Sequence, residues 1–508
     1  MTEPVPPGRS PLVRAVLIAV PLLFWIAQEI HPFGPAPPAH RALAILFMMA
    51  FWWMSETLPI HWVALVPLVL APLVPLFPAV ERSDPGFLAR LAANARSVGP
   101  TYVNPFIMIF MGGMLIGVAM EKHNLHRRIA LNIMKAIGSS PRRILLGFVV
   151  ATAFISMWIS NTATAVMMVP IALAVVSQLE AREGGRLPLL GQSIMLGIAY
   201  GANVGGIGTV IGTAPNMQLA GYVAAQYQIR LSFLDYLLVG LPFVVLFLPV
   251  VFATLAWLCR RERCRLVESD VLDQELAKLG RMSGSEKVVL GVFLLTSSLW
   301  MLNDPLRSLM GLKGFDPSTG KVASFVRGDE FDASAALLAP LLLFLSGTLR
   351  WRNLGRMPWD VLILLGGSYA LAHVVRESGL SVWLGTLVEP AAGLHPFLLM
   401  AVLAVVTVFL SAFTANAAAS QLMMTMVTGM VDPRSANPGR TLPFLYGVST
   451  ASSCDFMLPC GTPPNAIVFG TRYVRMRTMA GTGAVLDLAA ALLAATWIWF
   501  GARHLMRV

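Results

Sequence analysis

Charged side chains are scarce in this chain: Asp, Glu, Lys and Arg make up 12% of its 508 residues, while 56% are apolar. A soluble domain carries roughly twice that share of charge, so composition excludes an ordinary soluble protein and points to one that meets lipid. Cysteine is rare too, with four residues at Cys259, Cys264, Cys454 and Cys460. Their spacing forms neither a metal-ligand pattern nor a disulfide framework, which leaves them as small apolar packing residues. Hydrolytic signatures are missing. There is no His-Glu-x-x-His, no Gly-x-Ser-x-Gly and no recognisable pair of facing aspartates, so an intramembrane protease or transferase finds little here. No phosphate-binding loop suggests ATP-driven transport.

What is abundant is apolar sequence in long runs, for example 61–78, 106–120, 236–259, 333–349 and 479–500. Such runs predict an all-α polytopic membrane protein with about eleven transmembrane helices plus two re-entrant helical hairpins. The net charge of +11 does not indicate nucleic acid, because of where the charges fall. Basic residues cluster in alternate connections: Arg9 and Arg14; Lys122 to Arg143; Arg260 to Arg265; Arg350 to Arg356; Arg472 to Arg477. That alternation places the N-terminus in the cytoplasm and, with an odd number of crossings, the C-terminus outside.

Two segments break the apolar pattern in matched ways. Residues 141–179 are apolar at both ends but carry Ser156, Ser160, Asn161, Thr162 and Thr164 in the middle. As a single crossing they would bury those polar groups at the midplane without evident partners, so a hairpin entering from the cytoplasm is expected, with the polar residues at its tip. Residues 396–431 have the same character around Ser411, Thr414 and Asn416, and form a second hairpin entering from outside. Asn416 lies 255 positions after Asn161 (416 − 161). Each hairpin is followed by a span interrupted by glycine and proline. One is 197–222, with Gly212-Thr213-Ala214-Pro215-Asn216; the other is 442–469, with Gly461-Thr462-Pro463-Pro464-Asn465, offset by 249 (461 − 212). Glycine permits unusual dihedrals and proline removes a backbone donor, so both spans are predicted to be broken in mid-membrane.

This repetition divides the chain into a tail and first helix (1–40), a first repeat (41–258), a cytoplasmic linker (259–285) and a second repeat (286–508). Five crossings per half would turn the second copy upside down, the usual basis of alternating access. Oxygen atoms of Ser, Thr and Asn, with the carbonyls of broken helices, suit a hard cation such as sodium. Free amides at half-helix N-termini suit a carboxylate or other oxyanion.

These motifs resemble those of the divalent-anion/sodium symporter family, whose members carry dicarboxylates, citrate or sulfate. The resemblance rests on Ser160-Asn161-Thr162, on the two Gly-Thr-x-Pro-Asn breaks, and on the stretch 452–468, which includes Ser452, Phe456, Pro459, Ile467 and Val468. Trp53 to Pro59, Gly112-Gly113, Glu121-Lys122 and Trp359-Asp360 extend it over nearly the whole chain after the first helix. It implies a homodimer in which a scaffold (about 1–130 and 286–390) holds a transport part (about 138–258 and 394–504) that moves like an elevator. It also implies one sodium site at Ser156, Ser160, Asn161 and Gly212 and a second at Ser411, Thr414, Asn416 and Gly461. Asn161, Thr162, Thr213, Asn416, Thr462 and Pro463 would contact the anion. Sodium would act as coupling ion, with no other cofactor.

The second tip departs from that pattern. Ala415-Asn416-Ala417 stands where a second Ser-Asn-Thr is expected, removing two hydroxyls. Each charge-assisted hydrogen bond lost costs about 1.5–3 kcal/mol when nothing replaces it. Asp455, only six positions before Gly461, occupies a place where a small residue is expected; it is a candidate coupling carboxylate that favours a cation and repels a dianion, by strengthening a sodium site or taking up a proton, and a carboxylate paired with a nearby donor or reaching a cytoplasmic cavity is the structural alternative. Asp487 lies in the last apolar run, where a functional role and a structural hydrogen bond to the broken helix are both open. His373 is expected at the membrane interface, and Glu56 in a polar break between helices. Sodium-coupled carriage of a small di- or tricarboxylate is the leading reading. A sodium-independent exchanger, a proton-coupled carrier and a sulfate carrier stay open beside it, with a channel or enzyme behind them.

Overall fold

The computed structural model describes residues 11–30, 38–55, 57–77, 86–138, 140–183, 185–260, 262, 270–316, 321–324, 326–388, 395–432 and 436–506. Among the described residues the chain is built from helices, with one small β-hairpin, Lys313–Asp316 against Lys321–Ser324. Among the described residues, six helices are long and apolar enough to cross a membrane. A seventh span results if Gly284–Met301 and Asn303–Leu309, bent by 78°, count as one. Glu56 and Cys264 lie outside the described residues.

Helix starts follow local chemistry. Proline stands in the first turn of helices Pro105–Lys122, Pro141–Ser156, Pro188–Gly206, Pro396–Phe413, Pro438–Ser452 and Pro463–Gly470, where its missing N–H leaves nothing unpaired. Asn104 accepts from the Ile107 amide, and Ser232 with Asp235 and Ser283 with Glu286 form reciprocal capping boxes.

Both expected hairpins are present as pairs of helices: Pro141–Ser156 with Asn161–Glu183, and Pro396–Phe413 with Asn416–Val431. The two interrupted spans are likewise broken. Pro188–Gly206 stops and Ala214–Tyr227 restarts; Pro438–Ser452 stops and Pro463–Gly470 restarts. Packing between the halves is reciprocal. The second arm of the first hairpin lies against Pro463–Gly470, and the second arm of the other hairpin lies against Ala214–Tyr227. One large buried cluster runs through both halves, and a smaller one joins helix Ala39–Ser55, helix Trp359–Glu377 and the second hairpin tip at Ala417 and Ala418.

Two segments differ from expectation. The Arg- and Asp-rich stretch 81–101, which lies between the apolar runs 61–78 and 106–120 and so reads as a connection, contains helix Phe87–Val98. Asn94 on that helix donates to the carbonyls of Ala71 (3.3 Å) and Val74 (3.3 Å), tying it to the preceding span. The stretch 259–285, expected as a cytoplasmic linker, also contains a helix, Asp270–Leu279, on which Glu275 pairs with Arg127 and Lys278. Arg128 reaches past this helix to Glu286 at 3.1 Å.

Candidate functional site

The first hairpin turns between Ser156 and Asn161, and its polar residues are interlocked. Ser156 Oγ donates to Asn161 Oδ1 at 2.7 Å, which fixes the asparagine side chain while leaving the hydroxyl lone pairs free. That side chain lies directly against Gly206, at the end of the broken helix; a Cβ there would come within 2.6 Å of Asn161 Oδ1. The break itself is pinned by Asn216, whose Nδ2 donates to the carbonyls of Gly206 (2.8 Å) and Thr209 (2.7 Å). Gly212 folds back so closely that any Cβ would strike the Gly206 carbonyl. Ser156, Asn161, Gly206 and Gly212 therefore form one contiguous cluster. Ser160 and Thr162 are exposed beside it, and Thr213 is half-buried at the start of Ala214–Tyr227 without a side-chain capping bond.

The second half-site repeats the break but not the tip. Asn465 does for this break what Asn216 does for the first, donating to the carbonyls of Asp455 (3.2 Å) and Leu458 (3.0 Å). Thr462 Oγ1 accepts the Asn465 amide at 3.4 Å and starts Pro463–Gly470, with Pro463 exposed next to it. At the tip, the hydroxyls of Ser411 and Thr414 donate within their own helix, to Val408 O (2.9 Å) and Leu410 O (2.8 Å). Asn416 Oδ1 is buried with no hydrogen-bond partner among the described residues, in contrast to the clasped Asn161. Ala417 and Ala418 are buried in the smaller cluster, and Thr414 and Ala418 share a small pocket with Ala50, Trp53 and Met54 of helix Ala39–Ser55. The first tip is open where the second is covered.

The two breaks are stitched together by a residue the sequence reading passed over. Asn203, fully buried, donates to the Asp455 carbonyl (2.9 Å) and to Thr462 Oγ1 (3.1 Å) from one helical turn before Gly206. In return, Ser449 Oγ donates to the Pro215 carbonyl at 3.0 Å. A lone amide in the small-residue run 197–206 was the available signal. Its counterpart at the same offset is Ser452 (452 − 203 = 249), so the repeat alone does not mark it. Of the other acidic and histidine candidates, Asp487 Oδ1 accepts the Phe456 amide at 2.9 Å, the structural bond to the broken helix. His373 sits half-buried against Ser97 Oγ (2.7 Å) and the Phe77 ring.

Each break offers carbonyls from the C-terminal end of one helix and amides from the N-terminal end of the next, beside neutral side-chain oxygens. Carbonyl ends attract a cation and amide ends an anion, so the arrangement suits a cation and an oxyanion side by side.

A family model of the sodium:sulfate symporter transmembrane region matches residues 11–506. The chain is 33% identical over 501 residues to the sodium-dependent dicarboxylate transporter SdcS of Staphylococcus saprophyticus, covering 95% of this chain and 90% of that protein. It is 32% identical over 494 residues to the protein of the same name from Staphylococcus aureus, covering 94% and 89%. In fold it is similar to the YdaH transporter of Alcanivorax borkumensis, with a TM-score of 0.52 at 14% identity over 90% of this chain and 98% of that one. MtrF of Neisseria gonorrhoeae, described as an antimetabolite efflux pump, gives 0.56 at 11% identity over 96% and 95%. A match along almost the whole length, with relatives above 30% identity, makes the chain a membrane transporter that belongs to the sodium:sulfate symporter family.

Proposed function

We propose that the protein carries small di- or tricarboxylate anions across the inner membrane, driven by sodium, through elevator-type alternating access in a homodimer. The observation that carries this reading is the cluster of Ser156, Asn161, Gly206 and Gly212 beside the exposed Ser160 and Thr162. It puts cation-type oxygens and anion-type donors at one open tip, and the relatives named above are sodium-dependent dicarboxylate transporters. In this reading Ser156, Ser160, Asn161 and Gly212 hold one sodium, and Ser411, Thr414, Asn416 and Gly461 hold another. Asn161, Thr162, Thr213, Asn416, Thr462 and Pro463 receive the anion between them. A cation bound first lowers the electrostatic cost of placing a dianion next to it, which couples the two.

The moving part comprises about 138–258 and 394–504, and the scaffold about 1–130 and 286–390, with the N-terminus in the cytoplasm and the C-terminus outside. Contacts that such a motion must exchange include the Arg230–Asp329 ion pair, the Phe233 amide on Asp332 (3.0 Å) and the seat of the second tip on helix Ala39–Ser55.

The test is uptake of labelled succinate, citrate and sulfate into proteoliposomes with and without an inward sodium gradient. Sodium-stimulated carboxylate uptake, lost by more than about a hundredfold in Asn161→Ala, is expected, since a ligand common to cation and anion is removed. Uptake that needs only internal anion and ignores sodium would replace symport by exchange.

A further inference from the structure

Asp455 is fully buried in the break between Pro438–Ser452 and Pro463–Gly470, and both of its carboxylate oxygens lack a hydrogen-bond partner among the described residues. Its backbone, by contrast, is held firmly, since the Asp455 carbonyl accepts from both Asn203 and Asn465. The side chain is thus presented to its surroundings by a fixed frame. It faces Gly461, so closely that a Cβ on that glycine would collide with the carboxylate. No arginine, lysine or histidine among the described residues pairs with it. The nearby acid is Asp487, whose Oδ2 is also buried and without a partner while its Oδ1 takes the Phe456 amide. Helix Pro438–Ser452 ends just before Asp455, and its C-terminal carbonyls add further negative potential.

A buried carboxylate with no donor, beside a second carboxylate and the negative end of a helix, is unfavourable as a bare anion and must either take up a proton or share its space with a cation. A hard monovalent cation meets that need with oxygen ligands alone. We infer that the Asp455 carboxylate is a direct ligand of the second coupling cation, so that the second half-site carries its own negative charge before any anion arrives. This inference rests on the sodium-coupled reading above and adds to it a charged ligand at one half-site only. Its consequence is an order of events. The second site binds sodium without transported anion, whereas the first, built from neutral oxygens, gains from having the anion present. The charge also offsets the two hydroxyls missing at Ala415 and Ala417, by holding in place the cation against which the anion rests.

The test uses the full-length protein in detergent, free of transported anion, with thermal melting followed as sodium chloride replaces choline chloride at constant ionic strength. The wild type is expected to melt higher as sodium rises. Asp455→Asn, which keeps the shape, and Asp455→Ala, which leaves a small side chain, are each expected to need at least about tenfold more sodium for half the rise. Asp455→Glu is expected to fall between them and the wild type. Because the readout is a melting curve, it also reports whether each variant is folded. If the neutral variants keep the wild-type half-saturating sodium concentration, Asp455 is not a ligand. If the wild type itself gains nothing from sodium over choline, the sodium-coupled reading fails first, and the role of Asp455 fails with it.

Discussion

The two hairpin tips are copies in sequence position but not in surroundings. At the first, Asn161 is clasped by Ser156 and packed on Gly206, and its neighbours Ser160 and Thr162 face outward. At the second, Asn416 has no hydrogen-bond partner for its Oδ1 among the described residues, its neighbours are Ala415 and Ala417, and the tip is seated on helix Ala39–Ser55. The breaks facing the tips differ in the opposite sense. Asn216 and Asn465 satisfy their carbonyls alike, but only the second break carries a carboxylate. The lesson is that two breaks of like backbone geometry can carry diverged side chains, so the open neutral side-chain oxygens concentrate in one half and the buried carboxylate in the other.

The glycines at the two breaks break this comparison most forcefully if it is wrong. Gly212→Ala drives a Cβ into the Gly206 carbonyl, a backbone atom held by Asn216, and is expected to destabilise by about 3 kcal/mol or more with loss of uptake. Gly461→Ala drives its Cβ into the Asp455 side chain instead. Combining Gly461→Ala with Asp455→Ala is therefore expected to restore most of the lost stability, while no side-chain trimming restores Gly212→Ala. Melting temperatures of the single and double variants decide it; equal behaviour of the two glycines would mean that the breaks are interchangeable.

A smaller effect is expected at the covered tip. Restoring hydroxyls with Ala415→Ser and Ala417→Thr adds donors beside Asn416, each contributing about 0.5–1.5 kcal/mol where it reaches the anion. The half-saturating succinate concentration is expected to fall by up to about tenfold, measured by initial uptake rates at saturating sodium. Ala417 is buried, so a rise instead would show that the added atoms cost more in packing against helix Ala39–Ser55 than they gain.

Much of this was legible in the sequence because lipid imposes strict rules. Ser160, Asn161 and Thr162 in the middle of an apolar stretch had to be a tip, and Gly212 and Pro463 had to mark breaks, since unsatisfied backbone is not tolerated at that depth. Helix Phe87–Val98 was not legible, because its arginines and short length resemble an exposed connection and its anchor is Asn94 bonding to carbonyls of the preceding span, which no local pattern announces. Asn203 escaped for a related reason: its partners, Asp455 and Thr462, lie more than two hundred and fifty positions away, at sequence separations of 252 and 259. The difference in cover between the tips likewise depends on Trp53 and Ala50, residues with no local pattern that ties them to Thr414 and Ala418. Local polarity marks where a helix must break; which side chain then meets which is set by tertiary packing.

The proposed coupling has two unequal cation sites serving one anion. It is tested most directly by the ratio of labelled sodium to labelled succinate taken up by the same proteoliposomes under a sodium gradient. The account predicts more than one sodium per succinate in the wild type, with a lower ratio for any residual uptake in Asp455→Ala. A ratio of one sodium per succinate or below, unchanged by Asp455→Ala, would contradict it.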